Sequence, residues 1–421
     1  MVQEKLAVVL AAGFGKRMGT GRPKQLVPVF GIPLIEHVLR PLLSRGYRVV
    51  VVYHSEELAR FIRERFPEVE LVKNPHPERE NGYSLYLASE VVDGEFLLVM
   101  SDHYYSSEFF DLAEKGASGN VAVVSSYCHD PDEATKVRVE GDRVVAISKG
   151  LEDYHYFDTG MFVCTPEVFN YAEELVSEKE QVRLADVFQR MADDRRLGYL
   201  VCEGRWIDVD APWEVGIAED IIKESIVKSE DGLVSRRINR PISLRITRWL
   251  LGKEWATPNR LTLFSFVMGL FSALLFALRC PFWGGLWAQL TSIVDGCDGE
   301  IARIKHMRSR FGAVLDSTTD RYADMFIVLG IFSSLPLSWA SVLGLFLAST
   351  GVIIFSYVWH LTKVRVRAGG RDVRLFLVML GGVLGSLNSL FLLLTLWVVG
   401  LLAHVCAFLS LWGLFKEHKG S

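Results

Sequence analysis

Four acids stand in a fixed frame in the apolar half of this 421-residue chain: Asp295 and Asp298, then Asp316 and Asp320. Residues three and four apart share one helix face, so each pair projects together, and a hairpin of two consecutive helices can turn the pairs toward each other. An ionised side chain inside a bilayer segment costs about 2.5–3.5 kcal/mol on insertion scales, so such a group is kept where something binds it. Four carboxylates in a low dielectric cannot all stay charged without compensating cations. Hard oxygen ligands at this density suit divalent magnesium or manganese bridging a pyrophosphate. Gly299 and Ala302 leave room on the same helix for a nucleotide, Arg303 can pair with a phosphate, and Gly312 leaves similar room on the next helix. The competing reading is an ion pathway, or carboxylates salt-bridged to nearby arginines.

A second constellation lies near the start. Lys5 to Leu10 reads as a buried strand, and Ala11-Ala-Gly13-Phe-Gly15-Lys16-Arg17-Met-Gly19 follows as a loop whose glycines let backbone N–H groups approach phosphates. It has neither the spacing of a dinucleotide fingerprint nor the Gly-Lys-Ser/Thr of a Walker loop. Downstream, Glu95 to Met100 reads as another buried strand, ending at Ser101-Asp102, and Lys136 to Val145 alternates around a central Gly-Asp as a hairpin.

The elements that must position these groups divide the chain in two. Up to about Glu230, charges, turn signals and short apolar runs describe a water-soluble domain with its own core. Beyond Pro258 come stretches near the roughly 20 apolar residues that a membrane crossing needs: 261–278, 282–302, 313–335, 339–361, and a block at 375–415 long enough for two, with Gly385-Ser-Leu-Asn388 as the turn. Six spans are expected, the alternative being five with one long tilted or re-entrant segment at the end. Lys and Arg cluster before the first span, after the second and after the fourth, which puts those loops, both termini and the soluble domain on the cytoplasmic side. Ala218 to Arg248 suits a helical connector ending as an amphipathic segment on the inner leaflet. The expected boundaries are 1–222, a linker and juxtamembrane helix over 223–256, and 257–421. The formal charge of -4 conceals this division and says little about partners, and the lack of basic runs interleaved with aromatics sets nucleic acid aside. Six cysteines without paired spacing suit a reducing compartment.

The acidic string fits D-x2-D-G-x2-A-R-x8-G-x3-D-x3-D at every defined position and so resembles the CDP-alcohol phosphotransferase family, from about Thr257 onward. That resemblance implies a six-helix membrane enzyme that displaces CMP from a CDP-alcohol. Asp295, Asp298 and Asp316 then map to metal ligands, and Asp320 to the base, which can join the metal shell. The string L-A-A-G-x-G-x-R-M-G-x-x-x-P-K, ending at Lys24, resembles the sugar-phosphate nucleotidyltransferases, an α/β Rossmann-like fold with a mixed sheet. The likeness gives Gly13 and Gly15 a triphosphate to cradle, Arg17 and Lys24 a catalytic role, Asp102 a metal, and Asp210, or else Asp208, the second metal position. Glu80 to Leu85 is similar to the segment by which cytidylyltransferases read the base, which makes Asn81 and Ser84 base-binding candidates. The fusion resembles a family of bifunctional enzymes that join an inositol-1-phosphate cytidylyltransferase to a CDP-inositol:inositol-1-phosphate transferase. It implies CTP, inositol 1-phosphate and CDP-inositol as substrates and Mg2+ or Mn2+ in both domains, and a lipid bilayer and a homodimer through the membrane domain complete the expected partners. Lys363 and Arg365, with Arg374, are candidates for the acceptor's phosphate, though charges that set topology explain them as well. Two other readings stay open: a phospholipid synthase whose soluble domain is regulatory, and a membrane transporter that binds ions with the acids.

Overall fold

The computed structural model describes residues 5–19, 21–116, 119–227, 231–364 and 366–420. Two compact units divide the chain, Met1–Ser225 and Ile226–Ser421.

In the first unit, Leu6–Ala11 is buried along its whole length, as a continuous apolar run predicts for a strand covered on both faces. It lies between Arg48–Tyr53 and Phe96–Met100 and runs parallel to both. Nine strands form the sheet, in the spatial order Glu70–Lys73, Arg48–Tyr53, Leu6–Ala11, Phe96–Met100, Tyr156–Cys164, Val121–Ser125, Gly198–Val201, Arg143–Ser148 and Lys136–Glu140. Tyr156–Cys164 pairs antiparallel to both its neighbours, which makes the sheet mixed. One apolar layer gathers Leu85, Phe162 and Phe188, the other Val38, Phe109 and Trp206. Because the two central parallel strands are adjacent, the glycine loop after Ala11 and the Ser101-Asp102 turn after Met100 emerge side by side at one end of the sheet, where open α/β sheets bind ligands. A two-stranded ribbon, His103–Tyr105 against Trp206–Asp208, pairs Asp208 with His103 and carries residues 206–210 to the same end.

The second unit is helical. Its helices are α1 (Arg240–Leu251), α2 (Pro258–Ala277), α3 (Pro281–Ile304), α4 (Arg310–Ser333), α5 (Trp339–Thr362), α6 (Arg371–Gly385) and α7 (Leu390–Gly420). Proline opens α2 and α3, where its missing N–H costs nothing. Ser309 caps α4, its Oγ accepting from Gly312 N at 3.0 Å. Among the described residues three helices are long and apolar enough to cross a membrane: Pro258–Ala277, Trp339–Thr362 and Leu390–Lys416. The 24-residue α3 and α4 carry the acidic frame, and the 15 residues of α6 reach only about 22 Å at 1.5 Å per residue. Glycines let the helices meet closely: a Cβ on Gly285 of α3 would lie 2.8 Å from the Met379 carbonyl oxygen of α6. α3 packs on α1, α2 and α6, so the helix with the first two acids is held on several sides.

Between 223 and 256, the span expected to hold the linker, a helix over Pro212–Ile226 continues past residue 222, and a π-helical turn over Ser235–Asn239 leads into α1. On α1, Arg240, Ser243 and Thr247 are buried while Ile242 and Trp249 are exposed.

Candidate active sites

In the first unit the glycine loop and two strand ends converge on one ammonium. Lys24 opens a short 3-10 turn and is buried. Its Nζ lies 2.6 Å from Asp102 Oδ2 and also pairs with Asp210 Oδ1. Burial alone would depress the ammonium's pKa, but Asp102 and Asp210 outweigh burial and hold it above its usual value. The same balance runs the other way for Asp102, whose carboxyl burial would raise but which Lys24 and His103 hold well below the usual range. His103 Nδ1 sits 2.7 Å from the other Asp102 oxygen, and its ring makes stacked contacts with Tyr105 and with Trp206. Gly15 takes the left-handed conformation at φ +58°, and a Cβ there would fall 2.7 Å from Lys24 Cβ, so the loop closes over Lys24 only with glycine. Among the described residues nothing lies within 4 Å of where a Gly13 Cβ would be, which leaves open space there beside the loop.

Arg17 is exposed, 3.0 Å from Glu133 and 3.6 Å from Asp210. Of the two aspartates after Trp206, Asp210 meets Lys24, whereas Asp208 lies in the ribbon opposite His103. Glu214 Oε2 accepts from the Asp210 and Ala211 amides at 2.6 and 2.7 Å, which fixes the turn that presents Asp210. The two expected base readers each hold a hydrogen bond to another segment. Asn81 Oδ1 accepts from Leu184 N at 2.7 Å, at the start of the helix Leu184–Asp193, and the buried Ser84 hydroxyl accepts from Asn74 Nδ2 at 2.9 Å. These bonds fix the orientation of both side chains. Asp158 and Gly160 form a bulge in the strand Tyr156–Cys164, Asp158 Oδ1 accepting from Gly160 N at 2.9 Å. Burial pushes the Asp158 carboxyl up to about 6, against the pull of that N–H.

In the second unit, carboxylate oxygens of Asp295, Asp316 and Asp320 lie within 4.8 Å of one another, a hard, acid-rich donor set that fits a divalent cation. Asp298 lies outside that group: its carboxylate accepts from Thr262 Oγ1 of α2 and from the Gly299 amide. Asp295 Oδ1 accepts from Ser265 Oγ, also on α2, at 3.2 Å. Arg303 has two buried guanidinium nitrogens, Nε and Nη2, without a hydrogen-bond partner among the described residues. Buried donors of this kind suit an anion. A Cβ on Gly299 would sit 3.1 Å from Arg303 Nη1, and one on Gly312 would sit 3.1 Å from Ser309 Oγ, so both glycines keep the helix surfaces low. Ala302 is half-buried beside them.

Arg371 belongs to the basic cluster after the fourth apolar stretch, where topology alone accounts for such charges. It lies at the heart of the acidic cluster, its Nη1 2.8 Å from Asp295 and 2.5 Å from Asp320, and its Nε 3.0 Å from Asp324. Arg374, a candidate for the acceptor's phosphate, instead holds Asp324 at 3.0 Å and is buried. Asp324 follows Asp320 at helical spacing; that continuation of the acidic face was the one signal for it. Lys363 caps α5 in the left-handed conformation and is exposed. Arg365 lies outside the described residues.

The models of two families match: the MobA-like NTP transferase domain over residues 7–139 and CDP-alcohol phosphatidyltransferase over 255–411. A curated relative named "Bifunctional IPC transferase and DIPP synthase" from Aquifex aeolicus is 36% identical, covering 93% of this chain and 94% of its own length. Its namesake in Thermococcus kodakarensis is 37% identical over 94% of each chain. Among solved structures, the inositol-1-phosphate CTP transferase from T. maritima aligns with 52% of this chain and 97% of its own, at 28% identity and a TM-score of 0.48. On its full-length relatives, the chain belongs to the family of bifunctional IPC transferases and DIPP synthases, and it is an enzyme with a nucleotidyltransferase and a CDP-alcohol phosphotransferase domain.

Proposed function

We propose that this bifunctional transferase makes CDP-inositol in its first unit and consumes it in its second. In the first step, a phosphate oxygen of inositol 1-phosphate bonds to the α-phosphorus of CTP, the bond to the bridging oxygen breaks, and pyrophosphate leaves. In the second, a hydroxyl of another inositol 1-phosphate bonds to the inositol-bearing phosphorus of CDP-inositol. CMP leaves with the bridging oxygen, and the product is phosphorylated di-myo-inositol phosphate. The full-length relatives' names support the substrates. The single observation that carries the two-step reading is that the first unit keeps its working parts, with Lys24 held between Asp102 and Asp210 beside an open glycine loop. A regulatory module would not need them.

In the first unit Lys24 and Arg17 supply positive charge to the triphosphate as negative charge moves onto the leaving pyrophosphate. Gly13 and Gly15 let the backbone come close to it. In the second, Asp320 takes the proton of the attacking hydroxyl and Arg303 holds the donor's phosphates with the two nitrogens that have no partner among the described residues. Mg2+ or Mn2+ would be held by Asp102 and Asp210 in one site, and in the other by Asp295, Asp316 and Asp320 with Asp298 beside them. Such an ion supplies charge stabilisation to phosphate oxygens. Lys363 and Arg365 are proposed for the acceptor's phosphate. Domain limits of 1–222 and 257–421, with 223–256 between, complete the reading. Helices α2 to α7 are read as six crossings with both sites cytoplasmic, from the Lys/Arg excess of the loops, and the membrane domain as the dimer contact.

The test supplies purified protein with CTP, Mg2+ and inositol 1-phosphate and identifies products by mass spectrometry. CDP-inositol, CMP and the phosphodiester are expected. Reaction with lipid acceptors alone would overturn the inositol assignment.

A further inference from the structure

Glu300 stands two residues past Asp298, on the opposite side of α3 from the acidic frame, and is fully buried at 0% exposure. Both its oxygens are taken by α1. Oε1 accepts from Arg240 Nη1 at 2.5 Å and from Ser243 Oγ at 2.6 Å, and Oε2 accepts from Thr247 Oγ1 at 2.6 Å. Arg240 is held in turn by Asp231, through Nε at 2.8 Å and Nη2 at 3.2 Å. Positions 240, 243 and 247 form one stripe on α1, so the helix turns its polar face inward onto α3 while Ile242 and Trp249 face out. Two turns nearer the start of α3 the contact continues: Asn239 Nδ2 donates to Ser292 Oγ at 3.0 Å, and Gln289 Nε2 donates to Asn239 Oδ1 at 2.7 Å. The same segment reaches α6, where Ser235 N donates to Asp372 at 2.9 Å, next to Arg371.

We propose that the Glu300–Arg240–Asp231 network is a positioning device for the phosphotransfer site, which fixes the rotation and height of α3 and thereby sets Asp295 and Asp298 against Asp316 and Asp320. A buried charge pair is weak evidence for stability, but it defines one register, because any slip of α3 strands a carboxylate without its donors. A one-residue rotation of an α-helix is about 100°, enough to take Asp295 out of reach of Asp316 and Asp320. An apolar contact between α1 and α3 would tolerate small rotations that this charged clasp does not. The inference rests on the second unit's proposed role as a metal-assisted transferase.

The test is Glu300→Gln in the full chain, which keeps shape and removes charge, with Arg240→Gln and the double variant for comparison. Two readouts are taken. The first is CMP release from supplied CDP-inositol as Mg2+ is varied; the second is Mn2+ binding followed by electron paramagnetic resonance on chains that also carry Asp102→Asn, which silences the first unit's site. Glu300→Gln is expected to raise the half-saturating Mg2+ at least tenfold and to weaken Mn2+ binding to a similar extent, while CDP-inositol formation from CTP proceeds as in the parent. Arg240→Gln should add little on the Glu300→Gln background, because the two act as one unit. A smaller folded fraction would lower CMP release at every Mg2+ concentration without moving the half-saturating value. That result, or unchanged Mn2+ binding, would overturn the proposal. If the parent chain binds Mn2+ but releases no CMP, the functional reading fails while the binding comparison still decides the positioning role.

Discussion

The proposed first reaction and the local fold both draw on Lys24, and a methionine there separates the two. Its ammonium lies 2.6 Å from Asp102 in a buried setting, and at an effective dielectric of about 20 two unit charges at that distance attract by about 6 kcal/mol. Desolvation offsets part of this, so removing one partner of such a pair costs about 3–5 kcal/mol, most of it the cost of a buried carboxylate left alone. Lys24→Met should therefore lower the thermal midpoint of the first unit. Lys24→Met combined with Asp102→Asn should recover most of that loss, since the buried carboxylate is then neutral and the more exposed Asp210 keeps Arg17 at 3.6 Å. Activity should not follow stability. Losing a preorganised positive charge at the developing pyrophosphate costs about 10²–10³ in rate, and the double variant lacks the carboxylate as well. The assay is pyrophosphate release from CTP and inositol 1-phosphate beside differential scanning fluorimetry, with CMP release from preformed CDP-inositol as internal control. If Lys24→Met keeps a tenth or more of the parent's pyrophosphate release, or if both variants lose activity in proportion to their folded fraction, Lys24 is structural and the two-step reading loses its main support.

Asp320→Asn should cut CMP release by about 10²–10⁴ as expected for a lost general base, while CTP is still used, so that CDP-inositol accumulates and is seen by mass spectrometry. Gly15→Ala places a Cβ 2.7 Å from Lys24 Cβ in a left-handed conformation, which costs about 1–2 kcal/mol for the backbone alone; pyrophosphate release should fall while CMP release from supplied CDP-inositol is kept. Asp158 has its carboxyl raised to about 6 in the folded state, so its contribution to stability is full below the ordinary carboxylate range and is lost as pH rises through 6. A tenfold change in proton affinity between the folded and unfolded chain is worth about 1.4 kcal/mol, and partial exposure reduces the total to about 1–2 kcal/mol. Asp158→Asn should therefore match the parent near pH 4 and exceed it in thermal midpoint at pH 7.5, and an equal difference at both values would remove burial as the cause.

The parts of the molecule legible in the sequence are those whose signal is local. The apolar runs that became Leu6–Ala11 and Phe96–Met100 are continuous because both faces are covered, and the glycine loop and Asp102 follow from where those strands end. The acidic frame was legible in part for the same reason, since helix periodicity pairs Asp295 with Asp298 and Asp316 with Asp320, whereas the grouping of Asp295 with Asp316 and Asp320 depends on how the helices pack. What stayed hidden depends on partners distant in sequence. The sequence around Asn81 gave no sign of its bond to Leu184, 103 residues away. Glu300 gave no sign that α1 would satisfy it. Asp298 has motif spacing, but a threonine 36 residues earlier takes up its carboxylate.

Arg371 carries that point furthest, because a charge count and a catalytic reading use the same residue type for different ends. An arginine at the start of a helix after a basic loop is an ordinary marker of the cytoplasmic side. Here it reaches Asp295 and Asp320 together and is braced from behind by Asp324, which Arg374 holds in turn. The first unit uses the same device, with Lys24 between Asp102 and Asp210. In both, one buried cation draws together carboxylates that would otherwise repel, and so keeps their spacing. If this is what Arg371 does, Arg371→Gln should disturb the spacing of the acids even before substrate is added. Mn2+ binding at the second site, measured without nucleotide, should weaken, and Asp324→Asn should reproduce the effect in milder form because it frees Arg371 without removing it. Equal or tighter Mn2+ binding in Arg371→Gln would instead make this arginine a competitor of the cation for the same oxygens.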